Sequence, residues 1–431
     1  MRNMKVKFIL AAALTMSSLM VSAQQDWSEA RKEIHQNIRL SASNYLAYVD
    51  PTEPLTPAPK GYEPFYLSHY GRHGSRWLIG EWEYMDAIKV LRDAHEKNAL
   101  TERGEQLRLQ LEEFYKTTDK RRGDLTTVGE RQHHRIGRRM TEHFPEIFGA
   151  KNSQVDARST VVIRCILSMV AECEELTAFN PGLRIHNDVS EAFQYYLNKE
   201  PHEQWIRDAN RDKRRKVTFD YKREYTRPER FCKLIFQDEA YVRYCVDAGS
   251  FMRRVFDICS NMQSHDDAPD LYPLFTEQEL YDLWRIRNID WYLDYSSGQS
   301  PHTQDNLLRN FLETADTIVR QPDFHGATLR FGHEVCVMPL AALMELGHCY
   351  PEVPVERLDT LDRVWANYRI FPMASNIQLV FYRPKKGKQG DILVKAMLNE
   401  HEQSLPLETT QYPYYRWDDV RRFFEKKLTR K

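Results

Sequence analysis

The chain has 431 residues, more than one hydrophobic core usually serves, so a large core and two lobes are expected. Its 61 Lys and Arg nearly cancel 62 Asp and Glu, and the net charge of −1 supplies no general attraction for nucleic acid or an anionic membrane. Any anion site must therefore come from local clustering.

The N-terminus carries Arg2, Lys5 and Lys7, then an apolar run from Phe8 to Val21 that closes on Val21-Ser22-Ala23. This is the pattern of a cleavable signal peptide over residues 1–23, and it predicts an exported protein, periplasmic or extracellular, whose mature part starts near Gln24. The run is short and interrupted by Ser17-Ser18, and no second apolar stretch of spanning length follows, so no membrane partner is expected. Seven cysteines lie scattered without close pairs, which implies no zinc ribbon and fits small buried apolar residues.

After a Pro-rich entry from Pro51 to Pro64, the tract from Phe65 to Trp77 runs a strand pattern into Arg72-His73-Gly74-Ser75-Arg76. A neutral imidazole is a competent nucleophile toward phosphorus, and guanidinium forks match phosphate oxygens while cancelling charge that would repel an attacker. His73 is the candidate nucleophile, and Arg72 and Arg76 are candidate clamps. Gly74 is expected to admit a close ligand approach or a dihedral closed to other residues.

Leu125 to Gln132 predicts a capped helix start, continuing through Ile136 and Met140 toward Phe144. Gln154 to Arg158 is a short strand candidate, after which Ser159 or Thr160 is expected to cap a helix through Ile163 and Val170. Arg164 on that helix is a candidate third clamp. His69, His133 and His134 lack ligand spacing and are read as helix-surface or hydrogen-bonded residues.

From 179 to 321 the pattern turns helical, aromatic and charged, predicting an inserted α-helical cap domain between core segments 24–178 and 322–431. Its basic stretch 207–230 is read as a solvated helix face. Strand character returns at Ala327 to Phe331, followed by Gly332-His333-Glu334 and a helix from Met338 to Leu346; Ile377 to Tyr382 and Ile392 to Leu398 form a hairpin, and Trp417 to Leu428 an amphipathic helix. The expected fold is α/β: a three-layer core with a mainly parallel central sheet and helices on both faces, plus the helical cap. Arg72-His73 and His333-Glu334 each follow a strand, and ligands of such sheets bind at the carboxyl ends of strands. Glu334 is the candidate proton donor, and His333 a donor to a phosphoryl oxygen.

These tracts resemble the histidine acid phosphatases, the large branch of the histidine phosphatase superfamily. Arg72-His73-Gly74-Ser75-Arg76 is similar to the Arg-His-Gly-x-Arg signature, and Leu125-Thr126 with Gly129 and Gln132, Arg158-Ser159-Thr160 with Arg164 and Ser168, and Gly332-His333-Glu334 follow in the family's order from about Phe65 to Leu398. The C-terminal tract Met373 to Arg383 looks most like the multiple inositol polyphosphate phosphatases, bacterial phytase relatives. The resemblance implies a phosphohistidine at His73, phosphate binding by Arg72, Arg76, Arg164 and His333, proton donation by Glu334, no cofactor and no metal. It implies a small-molecule phosphate monoester as partner, with inositol polyphosphates foremost and sugar or broad phosphate esters as the alternative, and leaves the oligomeric state open.

Two departures stand out. Leu78 holds a place where many members have proline, and His333-Glu334-Val335 replaces both the usual His-Asp and the His-Ala-Glu of the inositol polyphosphate branch. Two rival functions follow from the same residues. A zinc protease helix at His333-Glu334 needs a second histidine where Val337 stands. A phosphate-ester binder that has lost turnover has no need of His73. The mechanism read from the sequence starts with neutral His73 and protonated Glu334, so the rate is expected to fall at alkaline pH.

Overall fold

A computed structural model describes residues 27–198 and 211–429, so the leader reading and part of the basic stretch lie outside the described residues. One eight-stranded sheet organises the chain, in the order β3-β2-β4-β1-β5-β6-β7, with β8 paired to β6. Strand β1 (Tyr62–Arg72), β2 (Gln154–Ser159), β3 (Arg184–Val189) and β4 (Gly326–Gly332) run parallel; β5 (Asn376–Pro384), β6 (Leu393–Leu398), β7 (His401–Gln403) and β8 (Tyr415–Arg416) add an antiparallel part. The expected hairpin is β5 and β6, and its attachment to β1 makes the sheet mixed.

Alternation along the strands separates two cores. Leu67, Val155, Ala157, Ala327, Leu329, Phe331, Val380 and Met397 turn to one face, where the helices Thr127–His143 and Ile163–Phe179 pack side by side. Tyr70, Ile377, Leu379, Phe381, Val394 and Ala396 turn to the other, beneath Glu334–Leu343, Asp305–Val319 and Trp417–Thr429. This is the period-2 burial that a sheet covered on both faces requires.

Between β3 and β4 the described residues are helical, as a cap demands. The cap is not one contiguous insertion, however. Arg184–Val189, inside the segment read as helical from 179, is the edge strand of the core sheet, and its exposed polar residues conceal the alternation that marks a half-buried strand. In the other direction, Trp82–Glu96 and Glu102–Lys116, both N-terminal to the insertion, pack against the cap helices Ala248–Asn261 and Glu229–Ile235.

The described part of the basic run is mainly a solvated face, Arg214 being the inward exception. Arg215, Lys216 and Arg223 are exposed, while Arg214 pairs with Asp294 and Lys222 with Asp290 within the cap. None of the seven cysteines is in a disulfide, and all but Cys245 are buried. Among the described residues no helix is long and apolar enough to cross a membrane.

Candidate active site

Strand register brings the chemistry together. Arg72, the last residue of β1, lies opposite Gly332, the last of β4, and Ser159, the last of β2, lies opposite Phe331. The chain therefore leaves three parallel strands at one level. The His73 N–H donates to the Gly332 carbonyl at 3.0 Å and the Thr160 N–H to the Phe331 carbonyl at 3.0 Å, which ties the three exits to one another.

The exit from β1 is held from behind by the Thr127–His143 helix. Thr126 caps that helix by accepting from the Gly129 N–H, as the sequence suggests. The Ser75 N–H donates to Gln132 Oε1 at 2.9 Å, the Thr126 N–H to the Ser75 carbonyl at 2.9 Å, and the Gly74 N–H to Ser168 Oγ at 3.1 Å. Gly74 is glycine for this packing and not for a ligand or a special dihedral: a Cβ there would sit 2.4 Å from the Gly129 carbonyl oxygen, and one at Gly129 would sit 2.2 Å from that of Ser75. Leu78 has a similar local reason. Its N–H donates to Tyr84 Oη at 2.9 Å, a bond that proline cannot make.

Arg72 is fully buried and its orientation is over-determined. Nη1 donates to the carbonyls of Asn44 and Phe371, both at 2.8 Å; Nε lies 3.1 Å from Glu334 Oε2; Nη2 has no protein partner. Arg76 is nearly buried, with Nη1 bonded to the Trp77 carbonyl and Nε unpartnered. Arg164, half-buried in the first turn of its helix, reaches the Gly123 carbonyl at 3.3 Å and also leaves Nε unpartnered. Buried guanidinium N–H groups left free beside one another constitute an anion cradle. The Arg164 helix has Val162 at its cap position and no side-chain cap; Ser159 and Thr160 do not take that role, because Thr160 Oγ1 turns to His333 Nε2 at 3.5 Å.

His73 Nδ1 lies 2.8 Å from the Gly74 carbonyl oxygen, which can only accept, so Nδ1 carries the proton and the lone pair is on Nε2. Nε2 is 3.6 Å from Glu334 Oε2, beyond ordinary hydrogen-bond reach, and faces the same space as that carboxylate. Burial drives His73 well below the usual imidazole range, with Arg164 and Arg72 adding to the effect against the pull of Glu334. Burial likewise brings His333 down to about 4, Glu334 opposing and the three arginines assisting. Both rings are therefore neutral at neutral pH, edge to face with centroids 5.7 Å apart.

Glu334 departs from the protonated starting state read from the sequence. Burial pushes its carboxyl up, but Arg72 foremost, with Arg76, holds it well below the usual carboxylate range, so it is ionised in the ligand-free protein. Its side chain keeps 12% exposure.

Ligand atoms of His73, His333 and Glu334 all lie within 4.8 Å of one another, close enough to grip a metal ion. The surrounding charge argues against that use: Arg72, Arg76 and Arg164 all depress the nearby imidazoles, a field that repels a divalent cation and attracts an anion. Val337, where a zinc protease helix needs its second histidine, is fully buried in the core.

Three other histidines lie outside the cradle. His133 is buried against Glu172 at 2.7 Å, and His134 reaches Glu175 at 3.0 Å. His69 was expected at a helix surface or hydrogen-bonded; it is instead buried within β1 with both ring nitrogens unpartnered, packed on Phe331, and burial keeps it neutral. Sequence reasoning also missed Asn44, Tyr45 and Phe371, which position the clamp. Two of them act through backbone carbonyls, which no side-chain pattern encodes.

The fold is histidine-acid-phosphatase-like, and it brings His73, His333 and Glu334 together at the exits of the parallel strands. Among solved structures, the chain is similar to the multiple inositol polyphosphate phosphatase of Bifidobacterium longum. In the complex with inositol hexasulfate the TM-score is 0.70 at 18% identity, covering 89% of this chain and 97% of that one. In the complex with phosphate it is 0.70 at 19% identity, with the same coverage. The phytase from D. castellii follows with a TM-score of 0.67 at 12% identity, covering 91% of this chain and 85% of that one. No protein-family model matches the sequence, and no curated protein matches it.

Proposed function

We propose that this protein hydrolyses phosphate monoesters through a phosphohistidine on His73, with inositol polyphosphates as the substrate class. The observation that carries the reading is the tautomer of His73: the Gly74 carbonyl holds the proton on Nδ1 and leaves the Nε2 lone pair directed into a cradle of three arginines. The similarity to a Bifidobacterium longum enzyme crystallised with phosphate and with inositol hexasulfate supports the substrate class.

Arg72, Arg76 and Arg164 take the phosphoryl oxygens with His333 beside them, and Nε2 of His73 attacks phosphorus in line. The P–O ester bond breaks as the P–N bond forms, and the leaving alkoxide takes a proton from Glu334. Water then attacks the phosphohistidine, its proton passes to the Glu334 carboxylate, and the P–N bond breaks to release inorganic phosphate. Because Glu334 is ionised at rest, its proton arrives with the substrate. A phosphate monoester has a second pKa of about 6, so the monoanion brings one proton into the site, and the bound anion cancels the arginine field that kept Glu334 acidic. Export, inferred from the apolar leader, belongs to the same reading.

The test is phosphate release from inositol hexakisphosphate, glucose 1-phosphate and an aryl phosphate in the presence of a chelator, with His73→Ala as control. Release that persists with chelator and disappears in His73→Ala supports the reading, and the preferred ester fixes the substrate class. Binding of phosphate without any release points to an ester-binding protein.

A further inference from the structure

The site described above is built on the sheet, yet one of its arginines is held by a chain of contacts that begins in the cap. Helix Glu277–Trp291 carries Arg287, whose guanidinium is ion-paired with Asp257, donates from Nη1 to Asn44 Oδ1 at 3.1 Å, and lies over the Tyr45 ring at 5.2 Å. Asn44 in turn offers its carbonyl to Arg72 Nη1 at 2.8 Å, and the same Tyr45 ring lies 5.7 Å from the Arg76 guanidinium. The residue just before, Ser43, has φ 59 and ψ −123, a strained conformation for a non-glycine residue that persists only where surroundings impose it. The same cap helix supplies that constraint. Trp284 Nε1 donates to Asn367 Oδ1 at 3.0 Å, and Asn367 Nδ2 donates to Ser43 Oγ at 2.7 Å.

We propose that Arg287 is a positioning residue for the phosphate clamp: the cap helix, through Asn44 and Tyr45, aims Arg72 and Arg76. Its pairing with Asp257 separates this role from that of a substrate ligand, because a guanidinium already neutralised by a carboxylate has little charge left for a second phosphate. A strained segment held by two side chains of one helix then has a function, since relaxation of Ser43 would withdraw the carbonyl that fixes Arg72. The inference rests on the phosphatase reading only in taking the arginine cradle as a phosphate site, and its test does not require turnover.

Titrating inorganic phosphate into the full chain by calorimetry, for wild type, Arg287→Ala, Asn44→Ala and the double variant, decides the matter. Loss of one charge-assisted contact behind the clamp is expected to weaken phosphate binding about tenfold in each single variant, with no loss in the double beyond that of Arg287→Ala, which already removes the link through Asn44. Arg287→Lys recovers part of the affinity. Turnover, where present, falls by the same factor for an aryl monophosphate and for inositol hexakisphosphate. Unchanged affinity in folded Arg287→Ala, losses that multiply in the double variant, or a loss confined to the polyphosphorylated ester each overturn the proposal. If Arg287→Ala does not fold, Asn44→Ala alone decides: tenfold weakening supports the link and unchanged affinity ends it. Wild type that binds no phosphate sinks the reading of the cradle itself; wild type that binds while the variants match it sinks only the role of Arg287.

Discussion

Glu334 Oε2 stands 3.1 Å from Arg72 Nε and 3.6 Å from His73 Nε2, although Arg72 ends one strand and Glu334 begins the helix after another. One carboxylate thus faces a buried guanidinium and a neutral imidazole at once, and its ionisation decides how the site depends on pH. His73 and Glu334 are both shifted well downward and His333 to about 4, so in the free protein both imidazoles are neutral and Glu334 is ionised at neutral pH. The acid limb of kcat/KM should therefore lie below the ordinary imidazole range, with His333 protonating near pH 4, and not near 6.5. The alkaline limb should follow the second pKa of the ester, since the substrate monoanion carries the proton. Profiles measured with esters of different second pKa check this: an alkaline limb that stays in place across esters assigns it to the protein instead.

Glu334 is one methylene longer than an aspartate at that place, and its position depends on that length. Glu334→Asp draws the carboxylate away from both Arg72 and His73, and Glu334→Gln keeps the shape without an exchangeable acid proton. We expect kcat to fall in Glu334→Gln by about 10² to 10⁴, the usual contribution of a general acid, with a smaller fall in Glu334→Asp. For an aryl ester whose leaving group needs no proton, the loss in Glu334→Gln should shrink. An equal loss for all leaving groups would remove Glu334 from the role of acid.

Gly74→Ala is expected to reduce both stability and activity. The new methyl meets backbone atoms of Gly129, which cannot rotate aside, so the loop must shift against Ser168 and Gln132. Overpacking of this kind costs about 1–3 kcal/mol. A thermal melt and a phosphate titration of the same sample should both respond, whereas an unchanged melt would show that the helix start yields freely.

Leu78→Pro should destabilise this chain. It deletes the N–H bond to Tyr84 Oη and a fully buried side chain, for a cost of about 2 kcal/mol or more. Equal or higher thermal stability in Leu78→Pro would mean that the loop readily adopts the other arrangement.

Local sequence carried the parts of this protein that depend on local chemistry. Strand alternation located β1, β2, β4, β5 and β6, the Thr126 cap located its helix, and Arg72-His73 and His333-Glu334 could be read as strand exits because side-chain period and turn chemistry are properties of short segments. Strand β3 escaped because an exposed edge strand has little apolar alternation, and His69 was misplaced because burial by neighbours leaves no local mark. Only the tertiary structure decided the rest: that the exits of β1, β2 and β4 share one level, that Glu334 is ionised by Arg72, and that Asn44 and Phe371 hold that arginine by their carbonyls. Backbone carbonyls are the same in every residue, and electrostatic shifts depend on distances between segments far apart in the chain. Neither is written in any single stretch of sequence.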